Sequence, residues 1–222
     1  MNKRIEVRET ADGSKTLYLP DLDENYHSLH GAIQEAQHVF IKNGLDALKN
    51  LGTISIFEMG FGTGLNALLT AQWSGLNAVS VDYTGIEAFP VSLEICSQLE
   101  YTEQIDLSLK PLYHKLIASE WQRKISLSNT FEITKIEGRV EDWLPEKQFD
   151  LIYFDAFGPR AQSEMWNIDI LEKMYEALKS KGMLVTYCAQ GQFKRNLKSL
   201  GFTLESLPGP PGKREMTRAW KN

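Results

Sequence analysis

One segment, residues 53–73, restricts the fold more than any other part of the chain. Thr53–Met59 (TISIFEM) is a run of β-branched and apolar residues, the glycine-rich GFGTG follows at 60–64, and residues 65–73 (LNALLTAQW) have helix-forming composition. A strand that leads through a glycine loop into a helix predicts the first unit of a parallel sheet covered by helices. Glycines at that turn let the backbone come close to a bound molecule.

The rest of the chain continues the alternation of strand-like and helical segments. This alternation predicts a doubly wound, mostly parallel α/β sheet. Two strand-like runs near the C-terminus flank a Pro/Gly loop (PGPPG) and predict an antiparallel edge. The further predicted strands cover residues 79–87, 131–137, 149–155, 183–187, 202–207 and 215–220. The further predicted helices cover residues 90–99, 107–124, 168–179 and 192–200.

The first 50 residues have a different pattern. Two short alternating runs, 5–10 and 16–19, are separated by a stretch that contains Asp-Gly and predict a β-hairpin. Apolar residues at helical spacing predict a helix over 31–48, broken at an Asn-Gly pair. We therefore divide the chain into an N-terminal hairpin and helix extension (1–50) and a main domain (51–222).

Composition excludes several classes of protein. With 42% hydrophobic and 24% charged residues, the chain is typical of soluble globular proteins. Its two cysteines, Cys96 and Cys188, form no C-x-x-C pair, and its histidines lack metal-ligand spacing, so we expect neither a disulfide scaffold nor a bound metal. No run reaches the ~20 apolar residues of a membrane span, and the first ten residues have no apolar core of a signal peptide. These features predict a cytoplasmic protein without membrane attachment.

Charge is distributed unevenly along the chain. The net charge of −5 argues against a protein coated in basic surface for nucleic acid. Residues 191–222, however, contain seven lysines and arginines against two glutamates. Such asymmetry hints at a polyanionic partner, although on charge alone a solvated C-terminal face is the better interpretation.

The spacing of the glycines excludes two kinds of nucleotide site. After Gly60 and Gly62, a dinucleotide fingerprint requires glycine at 65, but Leu65 stands there and the third glycine is Gly64. The loop also lacks the Gly-Lys-Ser/Thr of a phosphate-binding P-loop. The loop therefore predicts a nucleotide-sized site of another kind.

Two acidic residues narrow the ligand. Glu58 precedes the first glycine by two positions, where a carboxylate would repel a pyrophosphate and attract a sulfonium or an ammonium group. Glu87 ends the second predicted strand, where a carboxylate can accept hydrogen bonds from both ribose hydroxyls. Alone, Glu58 would be interpreted as a surface charge and the glycines as a tight turn. Together they favour a cationic nucleoside, and S-adenosylmethionine fits.

A second motif, FDAFGP at 154–159, follows a later predicted strand. Open α/β sheets bind ligands beyond the carboxyl ends of their strands, so we expect Asp155 beside the donor held by the glycine loop. A carboxylate oxygen can hold the N–H of an amino acceptor, while Phe157 and Pro159 flank a flat base. Without its neighbours, Asp155 would be interpreted as a turn former.

At this point the sequence resembles a known family, the bacterial tRNA 5-methylaminomethyl-2-thiouridine methyltransferases, which occur fused to an FAD-dependent oxidase or as stand-alone enzymes. The resemblance runs from about Asn25 to Ala219, and its most specific parts are GFGTGLN and GKREM. The motifs that carry it are Tyr26-His27-Ser28 with Gly31 and Glu35, EMGFGTGLN (58–66), EAFP (87–90), FDAFGP (154–159) with Glu164-Met165-Trp166, and GKREM (212–216).

The resemblance implies the Rossmann-like fold of S-adenosylmethionine-dependent methyltransferases and a donor site on this chain. Family members often have Gly-Asp after the third strand at the adenine end. Here Gly138-Arg139 stands there, and a shifted turn would bring Glu141 or Asp142 to the adenine; we assign Asp142. The residues that the resemblance assigns to the donor are Glu58, Gly60, Gly62, Gly64, Asn66 and Glu87.

The resemblance also implies a reaction. The methyl group passes to the exocyclic amine of 5-aminomethyl-2-thiouridine at the tRNA wobble position, with Asp155 as the acid that orients the N–H groups and receives a proton. The chain contains no FAD fingerprint, so it resembles the stand-alone form, with no fused FAD oxidase domain. Anticodon-stem phosphates are expected to meet a basic group. Its members are Lys194, Arg195, Lys198, Lys213 and Arg214.

Three alternatives remain open from sequence alone. A small-molecule amine N-methyltransferase would share the donor site and Asp155 without using the basic C-terminal segment. An aminopropyltransferase-like enzyme would prefer a decarboxylated donor. A non-catalytic nucleoside-binding module would bind the donor and transfer nothing.

Overall fold

The computed structural model describes residues 4–222, so the first three residues of the predicted 1–50 extension lie outside the described residues. The strands are β1 (Glu6–Glu9), β2 (Lys15–Leu19), β3 (Glu24–Asn25), β4 (Thr53–Met59), β5 (Ser80–Glu87), β6 (Lys124–Ser126), β7 (Phe131–Glu137), β8 (Phe149–Phe154), β9 (Leu178–Thr186), β10 (Phe202–Pro208) and β11 (Glu215–Lys221). The α-helices are α1 (Ala32–Ala36), α2 (Leu65–Asn77), α3 (Leu93–Ser97), α4 (Tyr101–Ile105), α5 (Lys110–Ala118), α6 (Ile168–Ala177) and α7 (Gly191–Ser199).

An eight-stranded sheet forms the centre of the molecule, in the order β10-β11-β9-β8-β4-β5-β7-β6. Its five inner strands β9, β8, β4, β5 and β7 run parallel, while β11 and β10 form an antiparallel hairpin at one edge and β6 pairs antiparallel at the other. This order confirms the predicted doubly wound, mostly parallel sheet with an antiparallel C-terminal edge. The predicted N-terminal hairpin is present as β1 and β2, which pair antiparallel.

The order of the strands creates a cleft at the carboxyl end of β4. The chain leaves β4 through α2 to pair β5 on one side, whereas β8 pairs with β4 on the other. Parallel α/β sheets bind ligands where the strand order reverses in this way. The register places Met59 opposite Phe154, so the glycine loop and the FDAFGP loop begin side by side.

Apolar residues cover the sheet on both faces. Every residue of β4 from Ile54 onwards is buried, as expected for a parallel strand with helices on both sides. The N-terminal segment packs into the same core, because the rings of Phe40 and Tyr153 lie 5.0 Å apart between centroids. Phe57 faces the opposite layer, which includes residues of α6 such as Leu171.

Several element boundaries differ from those predicted. The helix predicted over 31–48 is divided into α1, a π-helical turn (Gln37–Lys42) and a 3-10 turn (Leu45–Leu48), with the break at the predicted Asn-Gly pair. The helix predicted from residue 90 begins only at Leu93, because Ser92 caps it by accepting a hydrogen bond from the backbone N–H of Ile95.

One strand, β6, was missed by the prediction, and another, β9, begins earlier than predicted. The helix predicted over 107–124 ends at Ala118, and β6 follows it along β7. β9 begins at Leu178 instead of 183, because Leu178 pairs with Phe149 and ends α6. Within residues 4–222, no helix is long and apolar enough to cross a bilayer, and no group of three or more His, Cys, Asp or Glu side chains is placed to hold a metal ion.

Candidate active site

A cavity of about 860 Å³ opens at the carboxyl ends of the inner strands. Its volume lies in the range of small-molecule sites. The lining comes from the glycine loop after β4, the turns after β5 and β7, the loop after β8, and the N-terminal segment. The site is therefore where the strand order places it.

Gly60 allows the ends of β4 and β8 to approach each other. Its φ is +89°, and a Cβ added there would lie 2.3 Å from the backbone oxygen of Asp155. Gly62, at φ +51°, lies under the ring of Tyr26, which an added Cβ would approach to 3.2 Å. Gly64 is the N-cap of α2, at φ +75°. The loop is thus shaped by close contacts as well as by its turn.

Glu87 connects the glycine loop to the turn after β5. Its Oε2 accepts a hydrogen bond from the backbone N–H of Gly62 at 3.0 Å, and its Oε1 accepts one from Phe89 at 2.9 Å. An ionised carboxylate has about four acceptor positions, so two further hydrogen bonds can be made. Glu87 lines the cavity, and its hydrogen bonds with ribose hydroxyls stay a prediction.

Asn66, in the first turn of α2, joins two acidic residues. Its Nδ2 donates to Glu58 Oε1 and to Asp155 Oδ2, each at 2.8 Å. Glu58 is completely buried and absent from the cavity lining, whereas Asn66 and Asp155 both line it. Asn66 therefore separates Glu58 from the cavity, and the contact of Glu58 with the donor stays a prediction.

Burial governs the ionisation of both acids. It raises the pKa of Glu58 well above its ordinary value, so a negative charge on Glu58 is disfavoured in the free protein. Burial, and then the charge of Glu35, raise the pKa of Asp155 to about 7, against the opposing effects of the Asn66 hydrogen bond and Lys213. Asp155 is thus the acid of this pair that changes charge near neutral pH.

The loop after β8 is held at three consecutive residues. The Asp155 N–H donates to Met59 O at 3.0 Å, which fixes it against β4. The hydroxyl of Tyr187 donates to Ala156 O at 2.7 Å, and the indole N–H of Trp166 donates to Phe157 O at 2.8 Å. These bonds fix the backbone that carries the Asp155 side chain.

Two aromatic rings stand beside this loop. Phe157 and Tyr26 both line the cavity and meet edge to face, with centroids 5.1 Å apart. A flat base can pack against such rings. Pro159 was predicted to share this role, but it does not line the cavity. Tyr26 is the second aromatic wall instead.

The turn after β7 borders the cavity with Glu141 rather than Asp142. Residues 138–141 line the cavity, and Arg139 forms an ion pair with Glu141. Lys173 on α6 holds this turn by donating to the carbonyls of Val140 and Glu141 at 2.9 and 2.6 Å. Asp142 is exposed and outside the lining, so its assignment to the adenine stays a prediction, while Glu141 is the acid that borders the cavity. The turn places its side chain in solvent.

The predicted basic group contains both ion-paired and exposed residues. Lys213 forms an ion pair with the buried Glu35, and its Nζ lies 3.7 Å from the ring centroid of Tyr187. Lys194 pairs with Glu215 at 3.0 Å, whereas Arg195 and Arg214 are exposed. None of these four basic residues lines the cavity. Lys213 therefore already has a carboxylate and an aromatic ring as neighbours within the protein, and its contact with tRNA stays a prediction.

The cavity has an acidic character. Among its described lining residues, one guanidinium stands against five carboxyl groups. Such a lining favours a cationic ligand over a pyrophosphate. Together with the glycine loop and the ribose-compatible position of Glu87, these residues fit S-adenosylmethionine. The carboxyl groups belong to Glu87, Glu137, Glu141, Asp155 and Glu164.

Some site residues had no role from sequence alone. Tyr26, His27 and Glu35 belong to motifs of the resemblance, yet only their positions in space show that they surround Asp155 or the cavity. His27 is buried, which lowers its pKa to about 4 and keeps its ring neutral. Tyr187 follows β9, so the rule about carboxyl ends of strands could have found it.

Comparison with known proteins agrees with this geometry. The family described as S-adenosyl-L-methionine-dependent methyltransferase matches residues 100–222, more than half of the chain. The tRNA 5-methylaminomethyl-2-thiouridine biosynthesis bifunctional protein MnmC of Cupriavidus metallidurans is 32% identical over 226 residues, covering 93% of this chain and 33% of that protein. The chain thus spans about a third of the length of the curated relatives it matches.

Comparison with solved structures finds a similar protein of related name and a second protein that shares the fold. The crystal structure of MNMC2 from Aquifex aeolicus has a TM-score of 0.76 and 26% identity, covering 98% of this chain and 70% of that chain. Spermidine synthase from Thermotoga maritima has a TM-score of 0.55 at 14% identity, covering 100% of this chain and 74% of that one, which shows a shared fold alone.

Proposed function

Because this chain belongs to the S-adenosyl-L-methionine-dependent methyltransferase family, we propose that it methylates the exocyclic amine of 5-aminomethyl-2-thiouridine at the wobble position of tRNA. The product is 5-methylaminomethyl-2-thiouridine. Similarity to MnmC over most of the chain supports this choice of acceptor. Because the chain matches about a third of the length of those relatives, we assign to it the methyl-transfer step alone among their activities. A tRNA substrate implies a cytoplasmic enzyme.

One observation carries the proposal: an ionisable acid and an aromatic pair share the cavity with the glycine loop. Asp155 stands at the end of β8, fixed through Asn66 and through the backbone of Met59. Phe157 and Tyr26 lie in the same cavity. These residues suit an amine attached to a flat base, since the two rings can pack against the base and the carboxyl group can accept a hydrogen bond from the N–H.

The residues around the donor have separable tasks. When bound, S-adenosylmethionine supplies an electrophilic methyl group on a positively charged sulfur. The glycine loop lets the backbone come close to the ligand, and Glu87 accepts hydrogen bonds from the ribose hydroxyls. Glu141 is the acid available at the adenine end, held in place by Lys173 through the backbone.

Asp155 handles the proton of the acceptor. A primary amine has a pKa of ~10.4 in water and is mostly protonated, so a proton must leave before the nitrogen can react. Asn66 holds Oδ2, and among the described residues Oδ1 has no hydrogen-bond partner. Oδ1 is therefore the oxygen that orients the N–H groups and accepts the proton. With a pKa of about 7, Asp155 is closer in pKa to the acceptor amine than an ordinary aspartate would be.

The exposed basic residues provide a binding face for tRNA. Arg195 on α7 and Arg214 in the loop between β10 and β11 are exposed, and Lys194 lies nearby in sequence with Glu215 as its partner. Contacts of lysine and arginine with phosphates give RNA binding its dependence on salt. We place the anticodon-stem phosphates on these residues.

The test uses the purified protein, methyl-labelled S-adenosylmethionine and tRNA from a strain that lacks the corresponding gene. Nucleoside mass analysis should find 5-methylaminomethyl-2-thiouridine and labelled tRNA. A parallel reaction contains a pool of small amines instead of RNA. Label found only in small amines would overturn the tRNA assignment in favour of a small-molecule methyltransferase.

A further inference from the structure

An ion pair lies behind the wall of the acceptor site. Glu35, on α1, has a side chain that is 8% exposed and accepts a hydrogen bond from the Ser28 N–H at 3.1 Å. Lys213, from the loop between β10 and β11, donates to its other oxygen. The two residues are 178 positions apart in the chain, so the contact joins the N-terminal segment to the C-terminal hairpin.

The ion pair is connected to the loop that carries Asp155. Lys213 Nζ lies 3.7 Å from the centroid of the Tyr187 ring. A lysine ammonium at this distance is attracted to the face of the ring. The hydroxyl of the same tyrosine donates to the carbonyl of Ala156, the residue after Asp155. The position of Lys213 therefore affects the backbone beside the reacting carboxyl group.

The charges of the pair also act on Asp155, with opposite signs. Glu35 raises the pKa of Asp155 and Lys213 lowers it. Removal of either partner would leave the other charge uncompensated near Asp155. The remaining groups that face Asp155 or interact with it electrostatically are Glu58 on β4, Asn66 on α2, Tyr83 on β5 and Tyr187 after β9.

We propose that Lys213 and Glu35 are positioning residues, which hold the loop after β8 and balance the charge around Asp155, and that Lys213 does not bind tRNA phosphate. The proposal rests on the methyl-transfer function above. It follows from the position of Lys213, whose charge is already used by a buried carboxylate and a tyrosine ring. Arg214, the next residue, is exposed and serves as the matched control for phosphate binding.

The first measurement is a titration of the Asp155 carboxyl group in the free protein. Its ionisation is monitored by infrared or carbon NMR spectroscopy, and the signal of Asp155 is identified by its loss in Asp155→Asn. Lys213→Met should move the midpoint upward and Glu35→Gln should move it downward. The double variant should return it towards the wild-type value, and Lys213→Arg should preserve it. Equal midpoints in wild type, Lys213→Met and Glu35→Gln would overturn the proposal.

The second measurement separates kcat from KM in tRNA methylation. If the midpoint rises from about 7 to about 8, the ionised fraction at pH 7 falls from a half to about a tenth, so Lys213→Met should lower kcat about fivefold. Its KM for tRNA and the salt dependence of tRNA binding should stay unchanged. Arg214→Met should instead raise the KM for tRNA and flatten the salt dependence of tRNA binding. An effect of Lys213→Met on KM and salt dependence alone would show that Lys213 binds phosphate and would overturn the proposal.

The two proposals fail in distinguishable ways. If the wild-type protein methylates no tRNA, the proposed function fails, while the titration of Asp155 still tests the roles of Lys213 and Glu35. If tRNA is methylated and neither variant moves the midpoint, only the inference about the ion pair fails. A folding defect is recognised by comparing the thermal unfolding of Lys213→Met with that of Lys213→Arg.

Discussion

Glu58 on β4 and Asp155, which directly follows the neighbouring parallel strand β8, accept hydrogen bonds from the same nitrogen atom, Asn66 Nδ2, at 2.8 Å each. One of these acids is fully buried and the other borders the cavity. Their shared donor connects the glycine-loop side of the site to the acceptor side.

Asp155→Asn should abolish most turnover and retain donor binding. The amide can occupy the same position but cannot accept the proton of the acceptor amine, and removal of one general base commonly costs about 10² to 10⁴-fold in rate. Donor affinity is measured by isothermal titration and turnover by labelled methyl transfer. A loss of donor affinity as large as the loss of turnover would contradict the assigned role of Asp155.

Asp155 should also make the stability of the protein depend on pH. Because its pKa is about 7 when folded and 3.8 ordinarily, the folded state favours the protonated form. The stability that this group contributes is present below pH 4 and is lost as pH rises towards 7, by at most about 1.4 kcal/mol per pH unit. Urea unfolding of wild type and Asp155→Asn should therefore diverge between pH 4 and 7, with the variant relatively more stable at pH 7. Parallel curves would contradict the raised pKa.

Asn66→Leu should destabilise the protein and raise the pKa of Asp155 further. The substitution removes the hydrogen bond that lowers this pKa and leaves two acids without their shared donor. Loss of a hydrogen-bond partner from a buried polar group costs about 1–3 kcal/mol. Denaturant unfolding at pH 7 measures the cost, and the rising limb of the pH–rate profile should move to higher pH. An unchanged profile would indicate that Asn66 does not influence Asp155.

The parts of the fold that sequence predicted are those fixed by local pattern. Thr53–Met59 was predicted to the residue because a buried β-branched run ends abruptly at glycine. β6 was missed because three residues at an edge have no pattern of their own. The start of β9 was misplaced because Leu178 continues a helical pattern, and only pairing with Phe149 makes it a strand.

The site was predictable where it depends on the ends of strands. The glycine loop and Asp155 meet because both follow neighbouring parallel strands, which is a rule of topology. The inward position of Glu58 behind Asn66 was not predictable, since the sequence does not show how deeply a residue at the end of a strand is buried. The partner of Lys213 was equally hidden, because its contact with Glu35 exists only after the termini of the chain have packed together.

Gly60→Ala should impair the site strongly, and Gly75→Ala should not. The added methyl on Gly60 would lie 2.3 Å from the backbone oxygen of Asp155 at a φ of +89°, so β4 and β8 must separate or the loop must change conformation. Nothing lies within 4 Å of a Cβ added to Gly75, and alanine is favoured over glycine in a helix by about 1 kcal/mol. Thermal unfolding and donor binding are compared for both variants. Normal donor binding by Gly60→Ala would show that the approach of the two strands is not needed for the site.

Arg214→Glu should raise the KM for tRNA and flatten the dependence of tRNA binding on salt. Arg214 is exposed, so reversing its charge removes a phosphate contact and adds repulsion without disturbing a buried network. Binding of tRNA is measured between 50 and 200 mM salt, a range over which ~6–10 phosphate contacts change affinity by about 10³ to 10⁵-fold. Arg123→Glu, directly before β6 at the opposite edge of the sheet from the β10–β11 hairpin, is the charge-matched control and should leave the slope unchanged. If Arg214→Glu has the same slope as wild type while Arg123→Glu flattens it, the RNA-binding face lies at the β6 edge of the sheet, because the slope reports only those charges that displace ions from the RNA.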